Sequence, residues 1–301
     1  MLKTGSRSLT GRTHEGYRYV LPGLAVLFLI AVIPLIMMVY LSMTSFEMGE
    51  AWDKREFVAL ENYSWLFSGQ DYKFYPSAIL TLKYISVVIS ASLAIGMVIA
   101  LLLNQNLKFR TLVMAFLLAP IVTSTPVVGL SWRLMFHMQN GIINHLLQQL
   151  NLPPVNWLGK RWAFTAVVIA TLWRSGAFMG LVLTAGIQTI PRELYEAASV
   201  GGATALERFT YVTLPLLKPI ILIALLLQSI ASMQQFGLVH ILTGGGPGGA
   251  TELLSLHLHK QALAYNGFVG KGAAIAVVLT TMSVALSTIL IATTGSREEK
   301  G

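Results

Sequence analysis

Long apolar runs broken by short polar segments dominate the chain. Six stretches are long and apolar enough, or nearly so, to cross a membrane: Tyr19–Thr44, Leu80–Leu103, Leu112–Met135, Trp162–Ile187, Ile220–Leu242 and Ala273–Thr293. A helix of about 20 such residues spans the hydrocarbon core of a bilayer. The pattern therefore predicts an all-α, polytopic membrane protein with six transmembrane helices. The first run is too long and too late in the chain for a secretory signal, and no A-x-A cleavage site follows it.

Composition supports this reading. Of 301 residues, 54% are apolar and only 11% charged, against about 25% charged in soluble domains. Disorder is excluded as well, because it requires low hydrophobicity and high charge. The chain has no cysteine, which removes disulfides, thiolate metal sites and cysteine nucleophiles. The net charge of +8 points to loops held on the cytoplasmic side of a bilayer rather than to nucleic acid.

Six spans place both termini on one side. Lysines and arginines are slightly more numerous on the face that carries the N-terminal tail, the loop Asn104–Arg110, the segment Gln188–Pro219 and the C-terminal tail. The basic tail and the short, acid-free loop weigh most in orientation, so this face is expected to be cytoplasmic. The expected organisation is a cytoplasmic tail at 1–18, a six-span domain at 19–294 and a second cytoplasmic tail at 295–301.

The spans contain no aspartate or glutamate, and apart from Lys83 and Arg133 near span ends their one basic residue is Arg174, near the middle of the fourth. Ion-coupled carriers commonly place acids inside the membrane, and intramembrane aspartyl proteases and prenyl transferases need them there. Their absence argues against a secondary carrier or a membrane enzyme, and for transport energised elsewhere. Arg174 costs about 2.5–3.5 kcal/mol on insertion scales, so it should face a cavity or a partner helix. Bonding to backbone carbonyls and contact with a solute both remain open.

Gln228, Ser232 and Gln235 follow the spacing i, i+4, i+7 and would share one helix face. Their depth matches that of Arg174, which Trp173 and Phe178 flank with flat apolar faces suited to a sugar ring. Interhelical hydrogen bonding is the plainer alternative for this stripe.

The segment from Pro191 to Pro219 is polar and interrupted. Pro191 suits the first position of a helix, and Glu193 and Glu196 suit its first turns. Gly201–Gly202 favours a break between two short helices. Pro215 and Pro219 read as the turn back into the membrane.

Within it, Glu196-Ala197-Ala198, Gly202 and Val212-x-Leu214-Pro215 resemble the EAA loop of binding-protein-dependent ABC importer permeases, with Val212 where the family has isoleucine or a similar residue. The chain is similar to the maltose and glycerol-phosphate type branch also at Phe57–Tyr63, Gly141–Asn144, Ala185–Pro191 and Leu242–Pro247. It departs from that branch at Gly201, where aspartate is usual.

The resemblance implies that Glu196, Ala197, Ala198 and Gly202 dock on an ATPase subunit through cytoplasmic coupling helices. It implies solute contacts at Trp173, Ser175, Phe178, Gln228, Ala231, Ser232 and Gln235, with Arg174 added by the reasoning on depth. It further implies a non-catalytic subunit of the bacterial or archaeal cytoplasmic membrane, importing a sugar or another polar solute. A second permease, two ATPase subunits that bind ATP and magnesium, and an extracytoplasmic solute-binding protein are the expected partners. The chain itself is expected to hold no cofactor or metal.

Three other motifs are set aside. Gly244–Gly249 fits G-x-G-x-x-G, but it follows a membrane span and contains proline, so a helix-terminating loop is the better reading. Neither Gly159-Lys160 nor Gly270-Lys271 has the glycine five residues earlier that a P-loop requires. His257 and His259 are two apart, a poor spacing for a metal pair on a helix.

Overall fold

The computed structural model describes residues 10–105, 108–264 and 267–295. Lys3, Arg7, Arg297 and Lys300 of the expected tails lie outside the described residues. The described residues are helical, without a strand.

Helix α1 (Thr10–Leu27) passes through a π turn (Phe28–Val32) into α2 (Ile33–Leu41). A short helix, α3 (Glu61–Phe67), precedes the long span α4 (Phe74–Leu103). Helices α5 (Arg110–Val122) and α6 (Thr125–Met135) follow, then the peripheral α7 (Ile142–Gln149) and the span α8 (Ala163–Gln188). Helices α9 (Arg192–Val200) and α10 (Ala205–Arg208) lead through a π turn (Phe209–Thr213) into α11 (Leu214–Met233). Helices α12 (Gly237–Leu242), α13 (Leu254–His259) and α14 (Val269–Gly295) complete the bundle.

Among the described residues five helices are long and apolar enough to cross a membrane, or six if the bent pair α5–α6 is counted as one span. The third expected span is that pair: α5 and α6 meet at 101°. Thr123 and Ser124 are extended between them, and Pro126 occupies the first turn of α6, where its missing N–H costs nothing. The fifth expected span is also corrected, because its helix stops at Met233 rather than Leu242. The chain breaks at Gln234–Phe236, and α12 packs against α6 so closely that a Cβ on Gly129 would lie 2.8 Å from Ile241.

Pro215 and Pro219 do not turn the chain. They lie in one helix running from Ala205 to Met233. Pro215 sits just after the π turn and Pro219 one turn later, where the missing hydrogen bonds are tolerated without a break. Pro191 is the N-cap of α9 rather than its first residue.

Helices α4 and α8 form the central pair. Hydrophobic burial does not drive helices together in lipid, so close approach and hydrogen bonds must. A Cβ on Gly96 would lie 2.5 Å from Met179, and one on Gly180 would lie 2.6 Å from Ile99. Two buried hydroxyl pairs add to this contact, Tyr84–Thr171 at 2.9 Å and Ser92–Ser175 at 2.7 Å. Such bonds average about 0.6 kcal/mol each in membranes.

The two ends of the bundle are distinct. Ala100, Ile187 and Leu217 pack together near the α9–α10 segment, whereas Leu66, Phe74, Leu254 and Ile275 pack at the other end. There the buried Asn62 donates to the carbonyls of Ser42 (2.9 Å) and Thr44 (2.8 Å), fastening the end of the first span to α3. Asn144, 1% exposed, plays the same part below α7. It donates to Met138 and Val155 carbonyls and accepts from the Val155 amide and Trp157 Nε1.

Candidate functional site

A cavity of about 670 Å³ opens between α4, the α5–α6 bend, α8 and the end of α11. Its lining includes Arg174, Ser175, Phe178, Gln228, Ala231, Ser232 and Gln235, together with Tyr84, Thr125 and Thr171. Seven of the eight expected pathway residues therefore meet around one space. Trp173 lies outside it and packs edge-on against Trp132, with ring centroids 6.4 Å apart.

Each polar wall has a local cause. Arg174 sits near the middle of α8 and is exposed to the cavity. Its Nη1 donates to Thr125 Oγ1 at 3.1 Å, across the gap to the first residue of α6. The bend between α5 and α6 brings that hydroxyl into reach.

Ser175 is more structural than its expected role implies. Its hydroxyl donates to Thr171 O at 3.0 Å and meets Ser92 at 2.7 Å, so its donor is already used. Thr171 donates to Val167 O in the same manner, which leaves Tyr84 to donate to Thr171.

Gln228 donates to Ser232 Oγ at 3.1 Å, one turn along α11, and both side chains are buried. Gln235 reaches the cavity by a different route from the expected helical stripe. The helix has ended, and the carbonyl of Gln235 is held by Ser255 Oγ at 2.6 Å.

The α9–α10 segment lies outside the bundle, joining α8 to α11. Helix α9 closes with two bonds that wrap its end: Gly202 N to Ser199 O at 3.0 Å and Ala203 N to Ala198 O at 2.9 Å. This closure requires a left-handed residue, supplied by Gly202 at φ +80°. Thr204 and Glu207 then cap α10 reciprocally, the Glu207 carboxylate accepting from the Thr204 amide at 2.7 Å. Arg208 Nη1 donates to Ser199 Oγ at 2.8 Å, bracing the two helices. Glu196, Ala197 and Gly202 are exposed, and Ala198 is half-buried. Val200 is 92% exposed and Leu206 70%, so this surface carries uncovered apolar side chains beside free charge.

A polar cluster at the opposite end had no counterpart in the sequence reading. His257, 1% exposed, lies between Asp71 Oδ2 (2.6 Å) and Glu252 Oε1 (3.2 Å). Lys260 pairs with Glu252 at 2.8 Å. Burial alone would lower the His257 pKa, but the two carboxylates hold it above its ordinary value. Burial would raise that of Glu252, but His257, Lys260 and Lys73 bring it down to about 2. The spacing of His257 and His259 excluded a metal pair but gave no sign of these partners; Glu252 and Lys260 are neighbours in sequence, whereas Asp71 comes from 186 residues away.

The Gly244–Gly249 run does terminate a helix. Gly244 and Gly245 take φ of +61° and +87° after α12, and Thr243 and Thr251 hydroxyls close the loop at 2.7 Å.

Comparison with known proteins places this architecture. The profile of the family described as "Binding-protein-dependent transport system inner membrane component" matches residues 92–294. The chain is 38% identical over 290 residues to the "Trehalose/maltose transport system permease protein MalF" of Thermococcus litoralis, covering 91% of each. It is 34% identical to the "Sulfoquinovosyl glycerol transport system permease protein SmoG" of Agrobacterium fabrum, covering 90% of this chain and 87% of that one. A chain of a bacterial ABC transporter that imports the acidic polysaccharide alginate superposes with a TM-score of 0.75 at 19% identity, covering 96% of this chain and 97% of that one.

Proposed function

The chain belongs to the family of binding-protein-dependent transport system inner membrane components, and from that premise we propose that its cavity is one half of a glycoside pathway driven by ATP hydrolysis on separate subunits. It is a multi-pass permease subunit of an ABC importer. The relatives named above move trehalose, maltose and sulfoquinovosyl glycerol, which supports a sugar or sugar derivative as the solute here.

One observation carries the assignment. The two helices that wall the cavity, α8 and α11, are joined directly by the exposed α9–α10 segment. A push on that segment therefore acts on the cavity walls. Glu196, Ala197, Ala198 and Gly202 are the docking positions for an ATPase subunit, with Val200 and Leu206 supplying apolar area. ATP and magnesium belong to that partner. A second permease closes the open side of the cavity, and a solute-binding protein delivers from the outer face. The short basic loop and the α9–α10 segment, with both termini, lie in the cytoplasm.

The test is co-expression with the partner permease, ATPase and binding protein, followed by reconstitution in liposomes. Uptake of trehalose, maltose or another glycoside that requires ATP and all the subunits is expected. Uptake by this chain without an ATPase would overturn the assignment.

A further inference from the structure

We propose that the solute bears a negative charge, a carboxylate or sulfonate on a sugar, which Arg174 receives in the cavity. This rests on the reading of the cavity as a solute pathway.

The argument is one of charge accounting. Arg174 is the one charged residue among those lining the cavity, and no acid stands beside it there. Its guanidinium has five N–H donors, and one bond, to Thr125 Oγ1 at 3.1 Å, is its share among the described residues. Thr125 is a neutral partner, so the positive charge stays uncompensated. Asp71 and Glu252 are engaged elsewhere, held by His257 and Lys260 at one end of the bundle.

A neutral sugar would satisfy donors but leave the charge facing a low-dielectric cavity. A carboxylate or sulfonate would satisfy both, because its paired oxygens match the planar fork of arginine. The rest of the lining suits the remainder of a glycoside. Gln228, Ser232 and Gln235 offer amide and hydroxyl groups for sugar hydroxyls, and Phe178 offers an apolar face.

Two probes of nearly equal shape separate charge from sugar recognition: methyl β-glucuronide and methyl β-glucoside. Their binding to the intact importer in nanodiscs, read by saturation-transfer NMR, is expected to favour the glucuronide by about tenfold or more. R174Q should shrink that preference to within about twofold, and R174K should restore part of it. Equal binding of the two probes, binding of neither, or an equal loss of both in R174Q would overturn the proposal. So would failure of R174Q to assemble, which would assign the guanidinium to an acid of the partner permease. ATP-dependent uptake of neutral glycosides in the same preparation would leave the importer assignment standing while this inference fell.

Discussion

His257 Nε2 lies 2.6 Å from Asp71 Oδ2, joining positions 186 residues apart in the chain. Glu252, Lys260 and Lys73 complete the group. The cluster ties the start of the second span to the loop before α13, so it should set the stability of the end of the bundle opposite α9–α10.

The sign of its pH dependence follows from His257. Its pKa is raised above 6.5 in the folded state, so its contribution is full below about 6.5 and is lost as pH rises through the raised value. Glu252 contributes above its ordinary 4.5 and loses that contribution as pH falls toward about 2. The melting temperature in detergent should therefore decline as pH rises above about 6.5, and H257Q should flatten that decline. H257Q should also cost about 3–5 kcal/mol, because it strips the buried Asp71 of its charged partner. An equal decline in both proteins would remove His257 from the pH response.

Reversing the charge at Glu196, or placing a β-branched residue at Gly202, should uncouple the importer. Gly202 has open space around its Cα, but its φ of +80° disfavours any side chain. Strain there is of order 1–3 kcal/mol and would displace the end of α9. E196K and G202V should insert normally and lose solute-stimulated ATP hydrolysis. Normal stimulation in both would reject the docking role.

Gln235→Ala and Ser232→Ala each remove one cavity hydrogen-bonding group, worth about 0.5–1.5 kcal/mol net. Uptake should fall about 2–10-fold per site, with basal ATP hydrolysis unchanged. Uptake equal to that of the unaltered chain in the double variant would show that these groups serve packing alone.

Helices α4 and α8 should tolerate no added bulk at Gly180. A Cβ there would sit 2.6 Å from Ile99 Cγ2, and overpacking of this kind costs about 1–3 kcal/mol. G180V should lower the melting temperature, and I99A combined with it should recover part of the loss. No change in G180V would mean that the two helices separate freely.

The spans were legible because crossing a bilayer needs only length and apolarity. The break at Gln234–Phe236 was not, since apolar residues resume after its two glutamines and the stop depends on Ser255 holding the Gln235 carbonyl from another segment. Gln235 was placed in the cavity for the wrong local reason and arrived there through that break. Arg174 was legible as the one charge near the middle of a span. Trp173 was not, because adjacent residues on a helix point about 100° apart and its face meets Trp132. The Asp71–His257–Glu252 cluster left no periodic trace, as Asp71 joins it from 186 residues away.

The unbroken helix from Ala205 to Met233 makes the permease mechanically direct. At 1.5 Å per residue it is a rod of about 43 Å, with Leu206 near one tip and Ser232 near the other. No loop intervenes to absorb a displacement. A tilt of about 10° would sweep one tip roughly 7 Å relative to the other, over this length. The π turn at Phe209–Thr213 interrupts the regular hydrogen-bond ladder near the Leu206 tip. How stiff that single turn is decides how much of a stroke delivered at Leu206 arrives at Gln228 and Ser232.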